Sequence, residues 1–185
     1  MRRSAEAKAE TRRKILEAAG ALFRSHGVEA VGVDAIMHRA GLTHGGFYGH
    51  FPSKEALVTE ASAASLARAA AKWDRISREK PPRDALAEIV GSYLDPSHVA
   101  AVERGCVLAT IGSEMARRPG SRSAIADSVN TMISALARCM PDRSQGAAQA
   151  VLACMVGAVM LARLTGANSM LEGAKAQVLS CRGNT

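Results

Sequence analysis

Several side chains able to donate hydrogen bonds crowd one short stretch of this 185-residue chain: Arg39, Thr43, His44, Tyr48 and His50, with Lys54 just beyond. Four of the five histidines (His26, His38, His44, His50) fall in the same third of the sequence. Their spacing is not that of metal ligands, and no Gly-rich phosphate loop, Ser/His/Asp arrangement or carboxylate pair accompanies them. No enzyme activity, metal or cofactor is therefore expected. Hydrogen bonding to a nucleic acid is the simpler use for these groups. The formal net charge of +7 permits a polyanionic partner without requiring one. Residues 1–14 add six basic side chains (Arg2, Arg3, Lys8, Arg12, Arg13, Lys14) against Glu6 and Glu10, a net +4. That segment reads as a flexible arm tracking phosphates or a minor groove, or else as a solubilising tail.

The elements that must position these groups are helices. Val33, Ile36, Met37 and Ala40 mark a short helix; Gly41 makes a tight turn; a third helix covers His44 to Phe51, with Thr43 where an N-cap is wanted. Ile36, Leu42 and Phe47 supply a small shared core. This is a helix-turn-helix, whose second helix can lie in a DNA major groove. Gly45 and Gly46 each cost about 1 kcal/mol in a helix relative to Ala. They either let the backbone approach base edges and thymine methyls or leave the helix frayed.

From Thr11 to Leu57 the chain resembles the DNA-binding domain of the TetR family of bacterial transcriptional regulators. The signature is Ala40-Gly41-Leu42-Thr43, Phe47-Tyr48, His50-Phe51 and Ser53-Lys54-Glu55. The resemblance implies that Thr43, His44 and Gly45 begin the recognition helix, that Tyr48 offers its hydroxyl to a phosphate with His50 nearby, and that Lys54 caps the long helix facing DNA. It implies a homodimer on a palindromic operator of double-stranded DNA, released by a small-molecule effector. The family usually has Ser or Thr just before the second helix; here Val31 and Gly32 stand there, and Arg39 is expected to take more of the phosphate contact. An activator, or a repressor sensing redox state or electrophiles through Cys106, are the alternative readings.

Few aromatic and β-branched residues favour an all-α fold. Breakers divide it into an N-terminal helix-turn-helix domain, 1–52, and a C-terminal helical ligand-binding and dimerisation domain, 53–185. Helices are expected near 53–78, 83–95, 106–118, 121–140, 144–165 and 168–181. Trp73, Cys106, Ile111, Met115 and Met155 are candidates to line an effector pocket, with His98 and Glu114 as polar anchors. The stripe of Ile125, Val129, Met132 and Leu136, together with Val151, Met155, Gly157 and Ala158, is the candidate dimer interface. The longest apolar run, Ala150 to Ala162, has 13 residues, short of the ~20 a membrane span needs. Cys106, Cys139, Cys154 and Cys181 are widely spaced, which argues against a disulfide framework and for a reduced, cytoplasmic setting.

Overall fold

The computed structural model describes residues 2–180, with side chains from residue 5 onward; Cys181 and the side chains of Arg2 and Arg3 lie outside the described residues. Ten α-helices run in order: α1 Arg2–His26, α2 Val33–Arg39, α3 Lys54–Glu79, α4 Pro82–Tyr93, α5 Pro96–Ala100, α6 Val107–Thr110, α7 Gly112–Ala116, α8 Ser121–Arg138, α9 Gln145–Thr165 and α10 Ser169–Ser180. Two 3-10 turns, His44–Gly49 and Val102–Arg104, complete them, and no strand occurs among the described residues. The all-α expectation holds.

Local sequence explains the ends. α1 buries Ile15, Ala19 and Phe23 on one face and stops at Gly27, whose φ of +79° suits glycine and whose N–H bonds the Phe23 carbonyl at 2.9 Å. α1 begins at Arg2, so the basic arm is helical from its start rather than irregular. α3 is capped by Ser53, whose hydroxyl accepts the Ala56 N–H at 3.1 Å. The expected helix 106–118 is broken into α6 and α7. Thr110 Oγ1 bonds back to the Cys106 and Val107 carbonyls, and Gly112 follows the break.

Two hydrophobic cores result. One gathers Ile15, Phe23, Val31, Ile36, Phe47 and Phe51 with Leu57, Val58 and Ala61 of α3 and Val107, Ile111 and Met115 of α6 and α7. The other joins Leu66, Ala70, Trp73 and Ile76 of α3 to α4, α8, α9 and α10. The sequence division at Pro52 follows an element boundary, whereas the packing of the first core reaches beyond it in both α3 and α6–α7. α3 threads both cores and lies along α8.

α9 has 21 residues and a mean hydropathy of 1.8 over its most apolar window, so by length and composition it could cross a membrane, beyond what the 13-residue run suggests. Its Val151, Leu152, Met155, Ala158, Val159 and Ala162 are nevertheless part of the second core. The opposite face is uncovered: Met160, Leu161 and Leu164 are 41%, 46% and 76% exposed.

Candidate nucleic-acid interface and effector cavity

The 3-10 turn His44–Gly49 hangs on one side chain. Phe47 is fully buried, stacks on Phe51 at 5.9 Å and meets Tyr48 edge-on at 5.2 Å. Around it Thr43, His44, Gly45, Gly46, Tyr48 and Gly49 are all exposed. Tyr48 is 68% exposed, so its side chain stands largely in solvent. The expected α-helix over 44–51 is thus a tighter, shorter turn, as three glycines in six residues favour. A Cβ on Gly45 or Gly49 would meet open space, and one on Gly46 only the Met37 methyl at 3.6 Å. Nothing inside the chain demands glycine there, so the smooth surface they leave is available to an approaching partner.

His44 is not free to rotate. Its Nδ1 is paired with the Asp34 carboxylate on α2, and its ring meets Tyr48 at 6.4 Å. With Nδ1–H given to Asp34, Nε2 is the atom left to face a ligand. Asp34 went unnoticed in the sequence because an acid in a first helical turn reads as ordinary dipole matching. Thr43 has the extended backbone of an N-cap, φ −86°, but its hydroxyl makes no cap bond. His50 is half-buried, its Nδ1 without a partner and its carbonyl bonded by Arg12. Arg12 also lies 4.0 Å over the Phe51 ring and pairs with Glu60, tying the arm to α3. Lys54 is the first residue of α3, and the cap is Ser53 rather than Lys54. The departure at Val31 and Gly32 has a packing reason: Val31 is a core residue, and Gly32 caps α2 without a side-chain bond.

Arg39 corrects the sequence reading. Its guanidinium is held by both oxygens of Glu103, at 2.9 and 2.6 Å, so in this conformation it clamps the helix-turn-helix to the segment before α6 and is not a free phosphate ligand. This bond keeps the Glu103 carboxyl below its usual range. Arg24 of α1 donates to the Glu103 carbonyl at 2.7 Å and to Ser65 at 3.1 Å. Two further ties act in parallel. Glu114 of α7 accepts the Val28 N–H at 3.0 Å, and Arg118 pairs with both Glu29 and Glu55. Glu114 is therefore a cap for the helix-turn-helix and not a pocket anchor.

The pocket residues expected from sequence divide. Trp73 and Cys106 do line one partly open cavity of about 110 Å³, with Leu66, Tyr93, His98 and Arg104. Ile111 and Met115 instead belong to the first core, and Met155 is fully buried in the second. Tyr93 was missed because it closes a helix whose other apolar residues read as plain core. His98 is fixed as one neutral tautomer: Nδ1 donates to the Tyr93 carbonyl at 2.6 Å, and Nε2 accepts the Cys106 N–H at 3.0 Å. Burial lowers its pKa. Cys106 is half-buried and precedes a helix of only four residues.

The interface residues also divide. Met132, Leu136 and Met155 have no exposed surface, and Val151 and Ala158 have little; they serve the protomer's own core. Ile125, Val129 and Gly157 keep part of theirs, and the large exposed apolar residues are Met160, Leu161 and Leu164 of α9 with Met170 of α10.

Comparison with known proteins agrees with this geometry. Residues 15–61 match the bacterial regulatory proteins of the tetR family, a span that ends where the first core ends on α3. The HTH-type transcriptional repressor KstR of Mycobacterium tuberculosis is 40% identical over 70 residues, 38% of this chain and 32% of that protein. The HTH-type regulator YerO of Bacillus subtilis is 29% identical over 89 residues, 46% of this chain and 31% of that protein. The match thus spans about a third of the length of these curated relatives. In fold the likeness covers nearly the whole chain. Reduced E. coli NemR superposes with a TM-score of 0.80 at 21% identity, over 91% of this chain and 95% of that one. A TetR regulator from Chloroflexus aurantiacus gives 0.77 at 25% identity, over 95% of each. Residues 15–61 thus match the DNA-binding part of the tetR family of bacterial regulatory proteins, and the chain as a whole has the fold of solved TetR-family regulators.

Proposed function

We propose that the chain is a transcriptional repressor that binds a palindromic operator in double-stranded DNA as a homodimer and lets go when a small molecule occupies its C-terminal half. The observation that carries this reading is the contiguous exposed surface Thr43–Gly46 with Tyr48 beside it, held rigid by the buried Phe47. A partner-facing role explains a polar, glycine-smoothed turn mounted on a tight aromatic anchor. Thr43 and the Asp34-held His44 read bases, while Tyr48, Lys54 and His50 address phosphates, which position the head without specifying sequence. Two such heads on a two-fold axis require half-sites about one helical turn apart, ~34–36 Å.

The dimer forms through the uncovered face of α9, Gly157, Met160, Leu161 and Leu164, continued by Met170 of α10. A run of large apolar side chains on one helix face is stable in water only when covered. The effector signal leaves the cavity through the segment Val102–Cys106, whose Glu103 holds Arg39 and Arg24 of the helix-turn-helix.

The test is a gel shift on the DNA flanking the protein's own gene. Binding is expected, and Tyr48→Phe should weaken it on matched and scrambled DNA alike, by roughly tenfold or more for a lost hydrogen bond to a charged group. Absence of any shift with the wild-type chain, or a Tyr48→Phe effect confined to one sequence, would count against the reading. A second reading, release by oxidation or electrophiles at Cys106, is favoured by the thiol's place in the cavity wall, next to the segment that holds Arg39.

A further inference from the structure

Two donors near the cavity have no acceptor. Tyr93 is 6% exposed, lines the cavity and has a buried hydroxyl without a hydrogen-bond partner. The Cys106 thiol beside it is a poor acceptor. Arg163 of α9 does not line the cavity itself but packs against Gly105, which does. Its Nε and Nη2 are satisfied by the carbonyls of Val99, at 3.2 Å, and His98, at 3.0 Å, while Nη1 is buried and unpartnered. No carboxylate pairs with Arg163 among the described residues, and its charge bears on both the Tyr93 phenol and Cys106. The chain makes room for this guanidinium: a Cβ on Gly105 would collide with Arg163 Nη2, although the Gly105 backbone, φ −71°, suits any residue.

A half-buried arginine whose inner Nη1 has no acceptor, next to a buried hydroxyl without one, is costly unless something else supplies the oxygens. The cavity's other walls are Leu66, Ala69 and Trp73 on the apolar side and Ser65 and Arg104 on the polar side, with no acid among them. The Tyr93 hydroxyl and the Nη1 amino group of Arg163 can each serve one oxygen of a carboxylate, whose short apolar tail suits the apolar side of the cavity. A volume of about 110 Å³ is smaller than the ~150 Å³ that accommodates benzene, so the ligand has roughly five heavy atoms.

We propose that this cavity binds a small monocarboxylate through the Tyr93 hydroxyl and Arg163 Nη1, and that this is the effector site. The second clause rests on the ligand-responsive reading above; the first does not. Trp73 is the single tryptophan of the chain and stands in the cavity wall, so its emission reports occupancy directly.

The experiment titrates the full chain, without DNA and at constant ionic strength, with propionate and with its uncharged isostere propionamide. Propionate should give a saturable change in Trp73 emission, and propionamide none. Tyr93→Phe and Arg163→Gln should each weaken propionate roughly tenfold or more. Arg163→Gln also loses two bonds to backbone carbonyls, so Tyr93→Phe, which keeps the ring packing against Trp73 and His98, is the deciding variant. It should melt no lower than wild type without ligand, since the hydroxyl it removes has no partner. The site is overturned by a non-saturable response, by an equal response to propionamide, or by unchanged binding in Tyr93→Phe. Because no DNA is present, a chain that fails to bind its operator leaves the site standing. A chain that binds both, with operator affinity unchanged at saturating propionate, loses the effector role alone.

Discussion

Leu161→Ala combined with Leu164→Ala tests the dimer face without touching the protomer core. The two leucines are 46% and 76% exposed, so a partner has a little over one whole leucine to cover on each subunit. Truncation to alanine removes about three methylene-sized groups per leucine, at ~0.8 kcal/mol each. Two-fold symmetry repeats the loss, which sets an upper value of ~6 kcal/mol per dimer. Burying only half of that surface still leaves about 3 kcal/mol, roughly a hundredfold in Kd. Sedimentation equilibrium across protein concentration measures it. Gly157→Glu should act similarly, because a Cβ there meets no neighbour and the charge would sit on the same face. Leu136→Ala is the contrasting control: with no exposed surface it should lower the melting temperature, at about 2–5 kcal/mol of folding stability, without selectively shifting the monomer–dimer balance. A Kd change below about fivefold in the double variant, or dissociation by Leu136→Ala at unchanged stability, would refute the assignment of this face.

Other outcomes follow from the ties between the two halves. Glu103→Gln removes the carboxylate that holds Arg39; the pair is exposed, so folding stability should hardly change, but amide exchange across residues 28–40 should quicken, and unchanged exchange there would mean that the other ties suffice. His98 is neutral, with a pKa lowered mainly by burial, so the unfolded chain takes up its proton first as pH falls. Its contribution is therefore full above the ordinary value of 6.5 and is lost as pH drops below it towards the lowered value. Thermal melts at pH 7.5 and 5.5 should show a larger loss for wild type than for His98→Gln, and equal losses would exclude His98 as the cause.

The helices were legible because apolar residues recur at 3.6-residue spacing and glycine or proline punctuates them; Gly27 and Ser53-Lys54 mark their boundaries within a residue or two. Exposed and buried positions on α8 were harder. Ile125, Val129, Met132 and Leu136 form the stripe of an amphipathic helix, and such a stripe looks the same whether it faces its own chain or another. Here α3 takes it. On α9 the reverse occurred: a helix apolar on every side gives no sign of which face is covered first. The exposed polar surface from Thr43 to Tyr48 was readable from residue types, but the pairing of Arg39 was not, because its partner Glu103 lies 64 positions away and no local pattern links them. Tyr93 and Arg163 escaped for the same reason. Each is unremarkable on its own helix, and the missing acceptor becomes visible only when α4, α9 and the turn before α6 meet.

That meeting point also explains how a small cavity can act on a distant head. Along Cys106 to Ile111 the side chains alternate between the two cores: Cys106, Leu108 and Ala109 pack into the second, Val107 and Ile111 into the first. One turn of chain is therefore wedged between the second core and the helix-turn-helix, and Glu103, just before it, grips Arg39 and Arg24. Close-packed cores shift between discrete arrangements and do not stretch. A ligand bonded to Tyr93 and Arg163, the latter packed against Gly105, would favour whichever arrangement brings those donors together, and Glu103 and Val107 lie two residues to either side of that glycine. Such a ligand changes DNA binding only in so far as it binds one arrangement more tightly. The wedge is the place where such a difference would arise, because Val107 and Ile111 cannot move without disturbing the first core, nor Cys106, Leu108 and Ala109 without disturbing the second.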